Sequence, residues 1–108
     1  MNKELLKGSI DILVLSVADR GDTYGYEIIR RLKKNSDELY EMSEGTLYPA
    51  LRRLEDKGFL VSYWGDSETG GRRKYYRITE DGKRELDRKV QEWQAVHRLI
   101  RVCLEGRV

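Results

Sequence analysis

Three cations in a row, Arg72-Arg73-Lys74, follow Gly70-Gly71 and precede Tyr75-Tyr76. A second set, Arg52-Arg53, closes a stretch that begins Ser43-Glu44-Gly45-Thr46-Leu47-Tyr48-Pro49. Guanidinium and ammonium groups beside hydroxyl and aromatic side chains suit nucleic acid: the cations meet phosphates, and arginine and small polar residues meet base edges. The same inventory speaks against catalysis. There is one histidine, His97, and one cysteine, Cys103, with no nucleophile–base pair at a recognisable spacing and no metal-ligand cluster. The Gly65–Gly71 stretch is glycine-rich, but it lies between two strand-like runs and opens no helix, so it is not a phosphate-binding loop. Neither an enzyme nor a metal or cofactor protein is expected. The net charge of only +2 requires any nucleic-acid surface to come from local clustering.

These side chains need elements to hold them. Ser43 is an N-cap, Glu44 places negative charge in the first turn, and Lys57-Gly58 marks the C-terminus. Leu47, Leu51 and Leu54 share the inward face of the predicted helix, leaving Gly45, Thr46, Pro49, Arg52 and Arg53 outward with Tyr48 on the flank. Pro49 costs one backbone bond, and Gly45 at i−4 lets the first turn adjust. Upstream, residues 3 to 19 read as a buried helix by their length, although the apolar run alone also permits a strand. Asp11 interrupts that run, with facing water as its simplest role, and Gly8 lies inside it. Thr23 or Asp22 caps a second helix that reaches Lys34 and carries Ile28, Ile29 and Leu32 on one side. The connection that follows is polar, with Leu39 and Met42 expected to tuck beneath it.

Phe59–Trp64 and Arg72–Thr79 read as two strands of a hairpin whose glycine-rich tip sits beside the cations. A charged hairpin is by itself weak evidence, since sheet edges are charged to prevent aggregation. Placed directly after two helices with an exposed cationic face, it makes a winged helix-turn-helix. Thr79 then caps a last helix with Leu86, Val90, Trp93, His97, Ile100 and Leu104 at heptad spacing. About 26 residues of helix span about 39 Å, more than so small a domain covers, so part of the seam packs on something else. The fold expected is mainly α with a small β-hairpin: residues 1–79 a winged DNA-binding domain, residues 80–108 a C-terminal dimerisation helix packed on the N-terminal helix. A second copy is the expected partner, through Leu86, Val90, Trp93, Ile100 and Leu104; packing within one chain is the alternative. With one cysteine, no signal-peptide form and no membrane-length apolar run, a cytoplasmic protein with no membrane partner is expected.

The sequence resembles the PadR family of bacterial transcriptional regulators along essentially its whole length. The likeness rests on Lys7-Gly8-Ser9, Tyr24-Gly25-Tyr26-Glu27-Ile28, Ser43 to Leu51, Leu54-Glu55-Asp56-Lys57-Gly58 and Arg72 to Gly82. With a single C-terminal helix it is similar to the small subfamily. A finer likeness, through Ser62-Tyr63-Trp64-Gly65-Asp66, Gly70 to Arg77 and Trp93, is to the lactococcal-type multidrug-binding branch. The resemblance implies a homodimeric repressor on double-stranded DNA with a palindromic operator. Tyr24, Ser43, Gly45, Thr46, Tyr48 and Arg52, with Arg72, Arg73 and Lys74 of the wing, would form the DNA surface. It also implies an aromatic-lined pocket for planar aromatic or cationic small molecules, formed by Leu5, Gly8, Asp11, Ile12, Trp93, Val96 and His97. In that branch a neutral amide stands at Asp11 and an acid at His97, so the same ligands do not follow. Trp93 as plain packing and His97 as a structural residue are the alternatives there, and a winged-helix module that binds protein is the alternative to DNA binding.

Overall fold

The computed structural model describes residues 2–106, so residue 1 and residues 107–108, the outer ends of the two expected segments, lie outside the described residues. The chain runs α1 (Lys3–Leu6), a 3₁₀ turn (Lys7–Ser9), α2 (Ile10–Asp19), β1 (Thr23–Tyr24), α3 (Gly25–Asn35), α4 (Glu44–Asp56), β2 (Leu60–Asp66), β3 (Arg72–Ile78) and α5 (Glu80–Glu105). The expected first helix is therefore two helices with a tightened turn at Gly8, and Asn2 caps α1 by accepting from the Glu4 and Leu5 amides.

α2, α3 and α4 form a three-helix layer closed by a small antiparallel sheet of order β1-β3-β2. Val14, Leu15 and Ala18 of α2, Ile28 and Leu32 of α3, and Leu47, Ala50, Leu51 and Leu54 of α4 make the buried core, with Leu60, Tyr76 and Ile78 supplied by the sheet. The face expected for α4 is the buried one. Of the two apolar residues in the connection before it, Met42 is buried at 2% exposure but Leu39 stands out at 67%. The positive-φ residues Asp37 and Glu38 turn the chain sharply just before Leu39, while Ser36 accepts from the Tyr40 amide and closes the loop.

The sheet has a strand that the sequence reading lacked. Neither Thr23 nor Asp22 caps α3 as expected: the N-cap position is Tyr24, without a side-chain bond, and Thr23 and Tyr24 pair with Tyr76 and Tyr75 of β3. Thr23 is buried and its hydroxyl donates to Glu27 at 2.7 Å, so it supports the first turn of α3 from within the strand. β2 and β3 pair from Leu60↔Ile78 to Asp66↔Arg72, two residues further towards the tip than expected for β2.

α5 leaves the sheet at Thr79, which accepts from the Gly82 amide at 2.9 Å and donates to the Gly58 carbonyl at 2.6 Å. Its first half crosses α2. Leu86 is buried there, and Val90, half-buried, packs against the same core. Beyond them the helix runs clear of the body: Trp93, Val96, Leu99, Ile100, Val102 and Leu104 are each about half exposed or more. The molecule measures 60 × 30 × 21 Å as a result.

Candidate nucleic-acid interface

The N-terminus of α4 is built as its sequence suggests. Ser43 accepts from the Thr46 amide at 3.2 Å and donates to the Thr46 hydroxyl at 3.1 Å. The space around Gly45 is open, with only the Ser43 hydroxyl oxygen near an added Cβ, so this end of the helix presents bare backbone. At the other end Gly58 adopts φ +79°. The Phe59 amide bonds Leu54 and the Gly58 amide bonds Glu55, a Schellman closure that turns the chain directly into β2. Helix and wing are thereby separated by one tight turn.

Between them Gly45, Tyr48, Pro49 and Arg52 form an exposed strip along α4, with Thr46 half-buried at its edge. Arg53 departs from the expected arrangement. Its guanidinium donates to Asp11 of α2 at 2.5 Å, and Asp11 is largely covered. Arg53 is thus tied to the body while its side chain stays 45% exposed, and it borders the outer face of α4 together with Arg52. Tyr48 lies against the start of α3: its phenol oxygen occupies the space a Cβ on Gly25 would need, at 2.6 Å.

The hairpin tip is closed by Ser67, whose hydroxyl donates to Gly70 at 2.7 Å, while Gly70 and Gly71 take φ +85°. Alternation along β3 splits the three cations between two faces. Arg73 lies over the Tyr24 ring at 3.8 Å, and Tyr24 in turn accepts from Arg30 at 3.4 Å. Tyr75 stands edge-on to Tyr24 and stacks on Tyr63. Arg72 and Lys74 point the other way, Arg72 near Trp64 at 5.9 Å and Lys74 near Tyr76 at 5.7 Å. On the outer face, Asp22 accepts from Arg77 at 2.9 Å and from Tyr63 at 2.5 Å. The Arg77 hydrogen bond, followed by that from Tyr63, holds the Asp22 carboxyl below the ordinary aspartate range.

The structure brings most of these groups into one cleft of about 430 Å³ between α3, α4 and β3. Tyr24, Tyr48, Arg52, Arg73 and Lys74 line it, together with Gly25, Tyr26, Glu55 and Tyr76, which the sequence reading had not placed there. Burial pushes the Tyr76 phenol up, reinforced by Glu55. Ser43, Gly45 and Thr46 lie outside it, at the exposed start of α4, and Arg72 lies towards the tip.

A second groove, of about 520 Å³, runs between the N-terminal segment and α5. Leu5, Gly8, Ile12, Trp93, Val96 and His97 are brought together along it, with Lys89, Glu92 and Ile100 alongside. Trp93 and His97 stack one turn apart, 5.4 Å between ring centres and 2° between planes. Asp11 is not on this wall, because its carboxylate is turned to Arg53. The groove is open to one side, where Leu5 is 81% exposed. Among the described residues no three His, Cys, Asp or Glu side chains are grouped to hold a metal, and no helix is long and apolar enough to cross a membrane.

Residues 14–88 match the model of the Transcriptional regulator PadR-like family. A transcriptional regulator from Clostridium thermocellum is 40% identical and superposes with a TM-score of 0.85, covering 94% of this chain and 95% of that one. A PadR-like transcriptional regulator from Bacillus cereus is 31% identical with a TM-score of 0.81, covering 96% and 99%. The Negative transcriptional regulator PadR of Bacillus subtilis is 28% identical over 87 residues, and this chain spans 46% of that protein's length. The relatives are regulators, not enzymes.

Proposed function

Because the chain belongs to the Transcriptional regulator PadR-like family, we propose that it is a DNA-binding repressor that acts as a homodimer and is released by a small molecule held at α5. The observation that carries DNA binding is the cleft itself, in which Arg52 and Tyr48 of α4 meet Arg73 and Lys74 of β3. An exposed helix start inserts into a major groove, and the hairpin beside it reaches phosphates or the neighbouring minor groove. The bare backbone at Gly45 permits close approach of α4. A module that binds protein would have little use for three successive cations, each set beside an aromatic ring, Trp64, Tyr24 or Tyr76. The test is enrichment of sites from a random duplex library, followed by binding measured against salt. A regulator of this kind enriches an imperfect palindrome and loses affinity as salt rises, with a log–log slope of about −0.9 per phosphate contacted. Failure to enrich any duplex refutes the reading.

The dimer is supported by the apolar length of α5 that the described residues leave about half exposed: Trp93 is 54% exposed, Ile100 51% and Leu104 48%. Pairing through this length and the adjoining α1 sets two copies of α4 one helical turn of DNA apart, about 34–36 Å. The released state is supported by the groove at Trp93. A planar aromatic ligand stacks on the indole, which already stacks on His97. The Asp11–Arg53 bond offers a route between the two sites. Asp11 is the neighbour of Ile12, which lines the groove, and Arg53 is the neighbour of Arg52, which faces DNA. Titration with planar cationic dyes tests the ligand: indole fluorescence is quenched in the wild type and not in Trp93→Ala, and quenching that survives this substitution rules the groove out.

A further inference from the structure

The cleft between α4 and the wing contains one group whose charge is wrong for a phosphate surface. Glu55 is the single carboxylate among the described residues that line it. It is not an incidental surface acid. Its Oε2 accepts from the Ser62 hydroxyl of β2 at 2.5 Å, and its Oε1 lies 4.0 Å from Lys74 Nζ of β3. One side chain of the recognition helix therefore touches both strands of the hairpin. The Ser62 bond holds the carboxylate beside Lys74.

We propose that Glu55 is a positioning and specificity-determining residue that sets the distance from helix to wing and withholds Lys74 from indiscriminate phosphate binding. This rests on the DNA-binding reading above. On non-cognate DNA the protein is held by phosphate contacts alone, and affinity there follows the number of cations free to make them. Glu55 competes for Lys74 and removes one such contact. On a cognate duplex Tyr48 and Arg52 fix the register, and the Glu55 bridge keeps the wing where Arg73 meets its phosphate. The same carboxylate thus weakens the non-cognate complex and supports the cognate one, and the ratio of the two is what a regulator needs.

The experiment compares wild type, Glu55→Gln, Glu55→Gln/Lys74→Ala and the neighbouring charge control Asp56→Asn on two duplexes, one enriched from the random library and one scrambled, over a salt series. Glu55→Gln is expected to bind the scrambled duplex on the order of eightfold more tightly at about 0.1 M salt, with a slope steeper by about 1. Its affinity for the enriched duplex stays level or falls, and Lys74→Ala cancels the gain. An equal gain on both duplexes, an equal effect from Asp56→Asn, a gain that survives Lys74→Ala, or no gain each overturns the proposal. Ser62→Ala, which frees the carboxylate without removing it, gives a smaller change of the same sign and serves if Glu55→Gln fails to fold; an unchanged ratio in that variant overturns the proposal too. Wild type that fails to discriminate the duplexes refutes the DNA-binding reading instead, so the two failures are distinct.

Discussion

Gly25→Ala separates the fold from the interface. Gly25 is the first residue of α3, and its backbone does not require glycine there. Alanine lowers the conformational entropy of the unfolded chain and favours the helix, together about 0.4–1 kcal/mol. The added methyl, however, falls 2.6 Å from the Tyr48 phenol oxygen, 3.0 Å from Cζ and 3.1 Å from Cε1. All three atoms belong to the far end of one side chain that is about half exposed, so the phenol moves by roughly 0.8 Å or more to restore ordinary contact and little else changes. The expected stability by urea denaturation is within about 1 kcal/mol of wild type. Affinity for the enriched duplex should fall by about 1–2 kcal/mol, or roughly five- to thirtyfold, the value of one displaced base or phosphate contact. Anisotropy titrations of Gly25→Ala, Tyr48→Ala and the double variant complete the cycle. The double variant should lose no more than Tyr48→Ala alone, because both act through the same phenol. Full affinity in Gly25→Ala, or losses that simply add, would show that Tyr48 makes no contact with DNA from this position.

The same substitution at Gly82 should do the reverse: its methyl falls on the backbone carbonyl oxygen of Phe59 and 2.8 Å from Ile78 Cγ1, neither of which can swing aside. Urea denaturation of Gly82→Ala is expected to show a loss of about 2–3 kcal/mol. Ile100→Glu should yield a folded monomer by sedimentation with circular dichroism unchanged, since Leu86 and Val90 anchor α5 without the outer seam; an unaltered dimer would disprove pairing along that seam. Asp22 is held below the ordinary aspartate range by Arg77, so its stabilising contribution is present above the unfolded-state value and is lost as pH falls through and below that range. Asp22→Asn should therefore lower stability at neutral pH and flatten the acid limb of the stability curve, and an identical limb would show that the pair contributes nothing.

The features legible in the sequence are those with local causes. The cap at Ser43, the leucine face of α4, the stop at Gly58 and the cap at Thr79 all follow from side chains within a few residues of the backbone they act on. The features that were not legible have partners far along the chain. Thr23-Tyr24 is too short for a period-two pattern, and it is a strand only because Tyr75 and Tyr76 lie beside it. The Asp11–Arg53 bond joins positions 42 residues apart, and it pairs two charges that helical geometry alone leaves unconnected. Glu55 points into the cleft because Ser62 draws it there, whereas a helical wheel leaves it on the flank. Leu39 and Met42 are both apolar, and which is buried depends on the positive-φ turn at Asp37 and Glu38.

The half-anchored C-terminal helix bears on how a cell would count copies of this protein. A chain that folds alone but binds its operator in pairs occupies a two-half-site operator in proportion to the square of its concentration, as long as unpaired chains predominate. Promoter output then responds steeply to a modest change in synthesis. Unpaired copies also carry an uncovered apolar stripe from Trp93 to Leu104, the kind of surface that quality-control proteases and chaperones engage. If pairing hides the stripe, as proposed, unpaired copies would be cleared faster than paired ones, and the threshold between an occupied and a vacant promoter would sharpen further.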